Sequence, residues 1–317
     1  MRIAVVGAGG VGGYFGAKLA HAGVDPVFLV RGANLEALRT RGIKVESIKG
    51  DFEVGPVQAS DDPAAIGPVD AVLVAVKAWQ IAEVAPTLRP LLGDDTVVVP
   101  LENGMEAPAQ LAEALGSQHA AGGLCAIVSF AVAPGHIRHI GAEPQVVFGE
   151  LDNRRSERLE RLRAAFQRAD VSAEIPPDIH RSMWTKFLFI APFSGVGAVA
   201  RVTTGDWRHV PETRSLVQRA IEEVFALARA HGVTLADDAI ARTMGHIDNL
   251  PPGATSSLQR DVLEGKPSEL DAQLGAAVRM GRESGVPTPA CEFLYSALLP
   301  QERLSRAFRA GSPVAPR

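Results

Sequence analysis

Residues 1–32 read MRIAVVGAGGVGGYFGAKLAHAGVDPVFLVRG. Ile3 to Val6 is a short, mostly β-branched run, Gly7-Ala8-Gly9-Gly10-Val11-Gly12 follows it, and Phe15, Leu19 and Ala20 then recur at helical spacing. The order is strand, tight turn, helix. In a G-x-G-x-x-G turn each glycine has its own mechanical role. Gly7 permits the sharp turn, Gly9 lets the backbone approach a pyrophosphate, and Gly12 lets the helix lie close to the strand. The unpaired N–H groups at the helix start then hold the anion. A second strand, Val27 to Val30, follows the helix. The stretch therefore predicts a dinucleotide-binding unit that sets Gly7, Ala8, Gly9, Gly10, Val11 and Gly12 against the cofactor.

The second strand runs into Arg31, about 20 residues past the glycines, where an acid would bind the ribose 2′-hydroxyl of NAD. A carboxylate there would repel a 2′-phosphate. A guanidinium attracts one, and its fork matches phosphate oxygens. NADP is the expected cofactor.

Beyond this stretch, Val69 to Val76 (VDAVLVAV) is an almost wholly apolar run, as a parallel strand covered on both faces requires. Lys77-Ala78-Trp79-Gln80 stands at its C-terminal end, the end where such sheets bind ligands. Thr96 to Pro100 repeats the pattern and runs into Leu101-Glu102-Asn103-Gly104-Met105, which brings a second polar residue, Asn103, to that edge. Residues 43–54 read as a small insertion on the sheet edge. Alternating strands and helices predict an α/β fold with a Rossmann-type doubly wound sheet. Pro176-Pro177 breaks the pattern, and helical periodicity alone follows: Ile179 to Gly195, Glu212 to His231, Thr255 to Glu264 and Ser268 to Ser284. The expected organisation is an NADP-binding domain over residues 1–176 and an all-helical substrate domain over 177–317, with the substrate in the cleft between them.

The chain of 317 residues can bury two cores of ordinary size, and 46% apolar residues suit a globular protein. With 32 basic and 36 acidic side chains the net charge is −4, so the basic field that nucleic-acid binding needs is missing. No signal-peptide pattern opens the sequence and no apolar run approaches a membrane span, so a cytoplasmic soluble protein is expected. Cys125 and Cys291 read as buried thiols, and the histidines form no spaced set, so no metal site is expected.

Several further blocks make the chain resemble the 2-dehydropantoate 2-reductases, or ketopantoate reductases. These are GAGGVG with Arg31, Lys77-Ala78-Trp79-Gln80, Glu102-Asn103-Gly104-Met105, Met183-Trp184-Thr185-Lys186, Ser256-Ser257-Leu258-Gln259-Arg260-Asp261, Pro267-Ser268-Glu269-Leu270-Asp271, and Gly281 to Pro289. They run in one order over most of the chain. The resemblance implies an NADPH-dependent reduction of a 2-oxo acid to a 2-hydroxy acid. It makes Lys186 the catalytic lysine, whose ammonium stabilises and protonates the developing alkoxide. It makes Glu269 the carboxylate that accepts from a substrate hydroxyl, Ser257 a partner of the substrate carboxylate, and Lys77 and Asn103 contacts near the ribose and nicotinamide.

One departure bears on the substrate. The family commonly has asparagines four and eight residues after the lysine; here Ile190 and Ser194 occupy those positions, on the same helix face. An isoleucine cannot hydrogen-bond a substrate hydroxyl, so the sequence predicts a less polar pocket beside the reacting carbonyl. A paralogous reductase of a different 2-oxo acid or ketone is therefore an alternative, as is a non-catalytic NADP-binding sensor. Lys186 and Glu269 argue against the sensor, which has no use for a proton donor. The apolar helical half leaves a homodimer open.

Overall fold

Burial of β-branched runs on both faces is what β1 (Ile3–Val6) achieves, its residues being 0–3% exposed. A computed structural model describes residues 1–309. The further strands are β2 (Val27–Leu29), β3 (Ile43–Ser47), β4 (Phe52–Val54), β5 (Ala59–Ser60), β6 (Val69–Val74), β7 (Leu92–Pro100), β8 (Ala121–Ala133), β9 (His136–Glu150) and β10 (Ser172–Glu174). The first sheet has the order β5-β2-β1-β6-β7, all parallel. The chain leaves β1 toward β2 and β5 and returns to its other side for β6 and β7. That reversal is the switch point at which such sheets bind ligands, outside the C-terminal ends of the strands.

Helices α1 (Gly10–His21), α2 (Gly32–Thr40), α3 (Pro63–Ile66), α4 (Ile81–Val84), α5 (Ala107–Leu115) and α6 (Glu157–Arg168) alternate with these strands. Residues 43–54 are not an edge insertion on this sheet. They belong to a second sheet of order β10-β9-β3-β4, with β8 also paired to β9. The alternation of buried Ile43 and Val45 with exposed Lys44 marks one covered face. Its parallel partner β9 lies too far along the chain for local pattern to reveal. Helix α1 is caught between the two sheets: a Cβ on Gly16 would come within 2.4 Å of Phe28, and one on Gly13 within 2.5 Å of Ile137.

A buried ion pair ties α6 to β9. Arg158 donates from Nε and Nη2 to the two oxygens of Glu150 at 2.8 and 2.7 Å, and Ser156 Oγ donates to the same carboxylate at 2.6 Å. Burial alone would push the Glu150 carboxyl up, but those bonds and the Arg158 charge outweigh it and hold it below the usual carboxylate range.

By packing, the chain divides into Met1–Glu102 with Ala107–Ser182, and Asn103–Glu106 with Met183–Arg317. Among the described residues the second unit contains only helices after Ser182. They are the rest of α7 (Ile179–Ala200), α8 (Thr204–Trp207), α9 (Pro211–Ala230), α10 (Ala239–Asn249), α11 (Ser257–Leu263), α12 (Ala276–Ser284) and α13 (Pro289–Arg309), with a π-helical turn, Asp271–Gly275, leading into α12. The helix α9 stops as expected at Gly232, which has φ +76°. Sequence periodicity overlooked α10 and α13. It also missed that α7 is long and apolar enough to cross a membrane; 67% of its apolar window is buried in the protein, the condition of a core helix. Cys125 and Cys291 are both buried thiols.

Arg158→Met strands a buried carboxylate, and the stability against urea should fall by about 3–5 kcal/mol at neutral pH. Because the folded Glu150 pKa is depressed, its contribution exists above the unfolded value of about 4.3 and is lost as pH falls through the folded value. The gap between wild type and variant should therefore close on acidification, and a gap that stays constant would exclude this role.

Candidate active site

The glycine turn leaves β1 at Gly7, whose φ of +91° places it where side chains are strained. Its N–H donates to Leu29 O at 3.0 Å, anchoring the turn to β2. At Gly12 a Cβ would lie 2.1 Å from Gly7 O, so helix and turn touch backbone to backbone. At Gly9 a Cβ would meet nothing within 4 Å. Helix α1 begins there with no side-chain cap and no acid in its first turn. Uncapped N–H groups beside open space suit a pyrophosphate. Ala8 is buried and Val11 half-buried in the same loop.

Arg31 is the N-cap residue of α2, with an exposed side chain whose Nη2 lies 3.9 Å from Glu83 Oε1. A solvated pair of this kind contributes about 0–1 kcal/mol, which commits the guanidinium to no structural duty. Lys77 follows the end of β6. Its N–H donates to Gln80 Oε1 at 3.1 Å and its ammonium lies 5.7 Å from the Trp79 ring centre. The Lys77-Ala78-Trp79-Gln80 motif is thus a local turn that orients the lysine.

In the helical unit the structure brings two expected residues together. Asn103 Nδ2 donates to Glu269 Oε2 at 3.2 Å, and Glu269 is only 6% exposed. The short segment carrying Asn103 is fixed by its neighbours. Arg279 grips Glu106 through Nε and Nη2 at 3.0 and 2.8 Å and reaches Asp271 Oδ1 at 3.0 Å, an oxygen that also accepts from Tyr295 at 2.9 Å. Those carboxylates hold the Arg279 pKa above the ordinary guanidinium range despite its partial burial. Ser268, the first residue of the periodic stretch 268–284, accepts from the Leu270 N–H at 3.3 Å, but it serves mainly another partner. Its N–H and Oγ both donate to the buried Glu302 of α13, at 3.0 and 2.7 Å to Oε2. Arg306 closes the ring by donating to Glu302 at 2.7 Å and to Ser268 O at 3.1 Å. Sequence reasoning did not find Glu302, which is 34 residues away and sits in no motif.

Lys186 and Ile190 are half-buried on α7, while Ser194 on the same face is 0% exposed and its hydroxyl has no hydrogen-bond partner among the described residues. Ser256 is the N-cap of α11, accepting from Gln259 N–H at 3.0 Å, so Ser257 beside it is not needed as a cap. Helix α11 packs on α7 at Gly197, where a Cβ would fall 2.6 Å from Gln259 Oε1. Gln273, which sequence reasoning also missed, is 0% exposed with neither amide atom partnered among the described residues. Its sequence signal is one polar residue inside the apolar periodicity that follows Glu269.

A Rossmann-type unit joined to a helical unit that bears a lysine and a buried carboxylate defines the class of two-unit nucleotide-dependent oxidoreductases. Within that class the chain belongs to the ketopantoate reductase family. The family model "Ketopantoate reductase PanE/ApbA" matches residues 3–153, and its C-terminal counterpart matches residues 178–302. A 2-dehydropantoate 2-reductase from a Nostoc species is 32% identical over 302 residues, covering 94% of each chain. An uncharacterized oxidoreductase of Bacillus subtilis is also 32% identical, covering 94% of this chain and 98% of its own. The crystal structure of 2-dehydropantoate 2-reductase from Geobacter metallireducens superposes with a TM-score of 0.88 at 32% identity, over 95% of this chain and 99% of that one.

Ser268→Ala removes one of the donors that neutralise the buried Glu302, and should lower stability against urea by about 1–3 kcal/mol. Chemical denaturation at neutral pH reads this directly. An unchanged midpoint would mean that the ring does not brace the Glu269 segment.

Proposed function

We propose that this protein reduces a 2-oxo acid to the 2-hydroxy acid with NADPH, and that ketopantoate is its substrate. The observation that carries the reading is the buried Glu269 carboxylate bonded to Asn103, in a chain that belongs to this family. The bound cofactor supplies the hydride. Gly7 to Gly12 receive its pyrophosphate at the start of α1, and Arg31 binds the 2′-phosphate with fork geometry. Lys77 and Asn103 contact the ribose and nicotinamide end.

Lys186 donates the proton: an ammonium beside the carbonyl oxygen stabilises the charge that forms there and then neutralises it. Ser257 donates to the substrate carboxylate. Glu269 accepts from the substrate hydroxyl, and the Asn103 amide keeps one of its oxygens directed away from that contact. A second reading is favoured by one observation, Ile190 where a polar contact is expected: the substrate is a less hydroxylated 2-oxo acid. We assign the protein to the cytoplasm, and the core burial of α7 supports a soluble chain.

The deciding experiment follows NADPH oxidation against a panel of 2-oxo acids that includes ketopantoate. Turnover of ketopantoate above the rest supports the first reading, preference for an unhydroxylated acid the second, and no turnover of any member overturns both. Lys186→Ala should lower kcat by about 10²–10⁴-fold while NADPH still binds, as tracked by quenching of protein fluorescence. Arg31→Ala should shrink the preference for NADPH over NADH by about 10–100-fold, the value of a charge-assisted contact. Equal binding of the two cofactors by the unmodified protein would remove the argument for Arg31.

A further inference from the structure

Two buried polar side chains of the helical unit, Gln273 and Ser194, are each 0% exposed and each without a hydrogen-bond partner among the described residues. Buried polar groups in folded proteins are almost always paired, because leaving one unpaired forfeits its solvation with no return. Their positions show what they share. A Cβ on Gly195 would meet Leu274 Cδ1 at 2.7 Å, so α7 and the π-helical turn make close contact there. Ser194 directly precedes Gly195, and Gln273 directly precedes Leu274.

From Ser194, one residue before that contact, α7 steps back through Ile190 to Lys186 at four-residue intervals. The other element steps back from Gln273 to Glu269, whose carbonyl accepts the Gln273 N–H at 3.0 Å. Burial follows the same direction, from the half-buried Lys186 and Ile190 to the fully buried Ser194. Gln273 also lies in a π-helical turn, a feature that redirects side chains relative to an α-helix and is frequent at functional sites.

We propose that Gln273 binds a hydroxyl carried on the chain of the 2-oxo acid, with Ser194 one residue from the same helix contact, and so supplies from the π-helical turn the polar contact that Ile190 removes from α7. The inference rests on the reductase reading and assigns that site a further specificity-determining residue. The Gln273 amide donates from Nε2 to the hydroxyl oxygen, whose own proton goes to Glu269, so the one hydroxyl accepts from one residue and donates to the other. Neither Gln273 nor Ser194 is charged, so the pair suits a hydroxyl rather than the carboxylate end. This contact favours hydroxylated 2-oxo acids over their deoxy counterparts.

The test compares ketopantoate with 3,3-dimethyl-2-oxobutanoate, which differs only in lacking the hydroxyl, in the full-length protein with NADPH. In Gln273→Leu the ratio of the two kcat/KM values should move against ketopantoate by about 10–100-fold. Its thermal midpoint without substrate should not fall, because the substitution removes an unpaired buried amide. Both substrates see one preparation, so any loss of folded protein cancels in the ratio. Gln273→Met provides the same comparison where the leucine variant does not fold. A ratio unchanged from wild type, with ketopantoate still reduced, overturns the role of Gln273 and leaves the reductase reading standing. A wild-type protein that reduces neither acid overturns the reading, and this inference with it.

Discussion

Glu269 is a carboxylate held 6% exposed, and burying a charge is tolerable only where partners are fixed in advance. Much of the helical unit is arranged to meet that condition. On one side the Asn103 amide reaches the carboxylate, and the segment bearing Asn103 is clamped through Glu106 by Arg279. On the other, the residue before Glu269 is stitched by its N–H and hydroxyl to Glu302, itself paired with Arg306. Apart from the Asn103 amide, neither the Arg279 clamp nor the Glu302 stitch touches the carboxylate itself. Both limit how far its backbone can move.

The same logic separates the polar groups that are structural from those that are not. Glu150 and Arg158 are buried but saturated with bonds, so they have nothing left to offer a ligand. Ser268 and Glu302 are saturated likewise. Ser194 and Gln273 are equally buried and have no protein partner among the described residues. Within the helical unit, then, hydrogen-bond accounting separates polar side chains that the scaffold has paired from those it has not, without reference to charge or to motif. On the proposal made for Gln273, the substrate question raised by Ile190 is answered from a different element, since a pocket's polarity is a property of all its walls.

Much of the fold could be read locally. The glycine turn after a β-branched strand, the apolar runs of β6 and β7, and the switch to helical periodicity after Pro176-Pro177 are short-range signals, each set by backbone sterics or by burial of one face. The positions of Lys186, Ile190 and Ser194 on one face of α7 follow from helix geometry alone. The placing of β3 and β4 did not follow, because a strand with one covered face does not name its partner, and β9 lies about ninety residues on. Glycines 13 and 16 lie outside the nucleotide turn, and their reason is the packing of α1 between the two sheets, which leaves no room for side chains against Ile137 of β9 and Phe28 of β2.

Residue order was enough to specify the strand–turn–helix at the start of the chain, the division into an α/β part and a helical part, and Arg31, Lys77, Asn103, Lys186 and Glu269 as the candidate site residues. The turn and the division are carried by neighbours along the chain, where bond geometry and periodicity act, whereas Lys186 and Glu269 were marked by the family resemblance. Folding in three dimensions was needed to establish that Asn103 bonds Glu269, that Ser268 is spoken for by Glu302, and that Gln273 is buried without a partner among the described residues. Each of these depends on groups brought together across 166 residues, across 34, or by exclusion from every described neighbour. Hydrogen bonds are settled by distance and direction in space, and a linear pattern fixes neither.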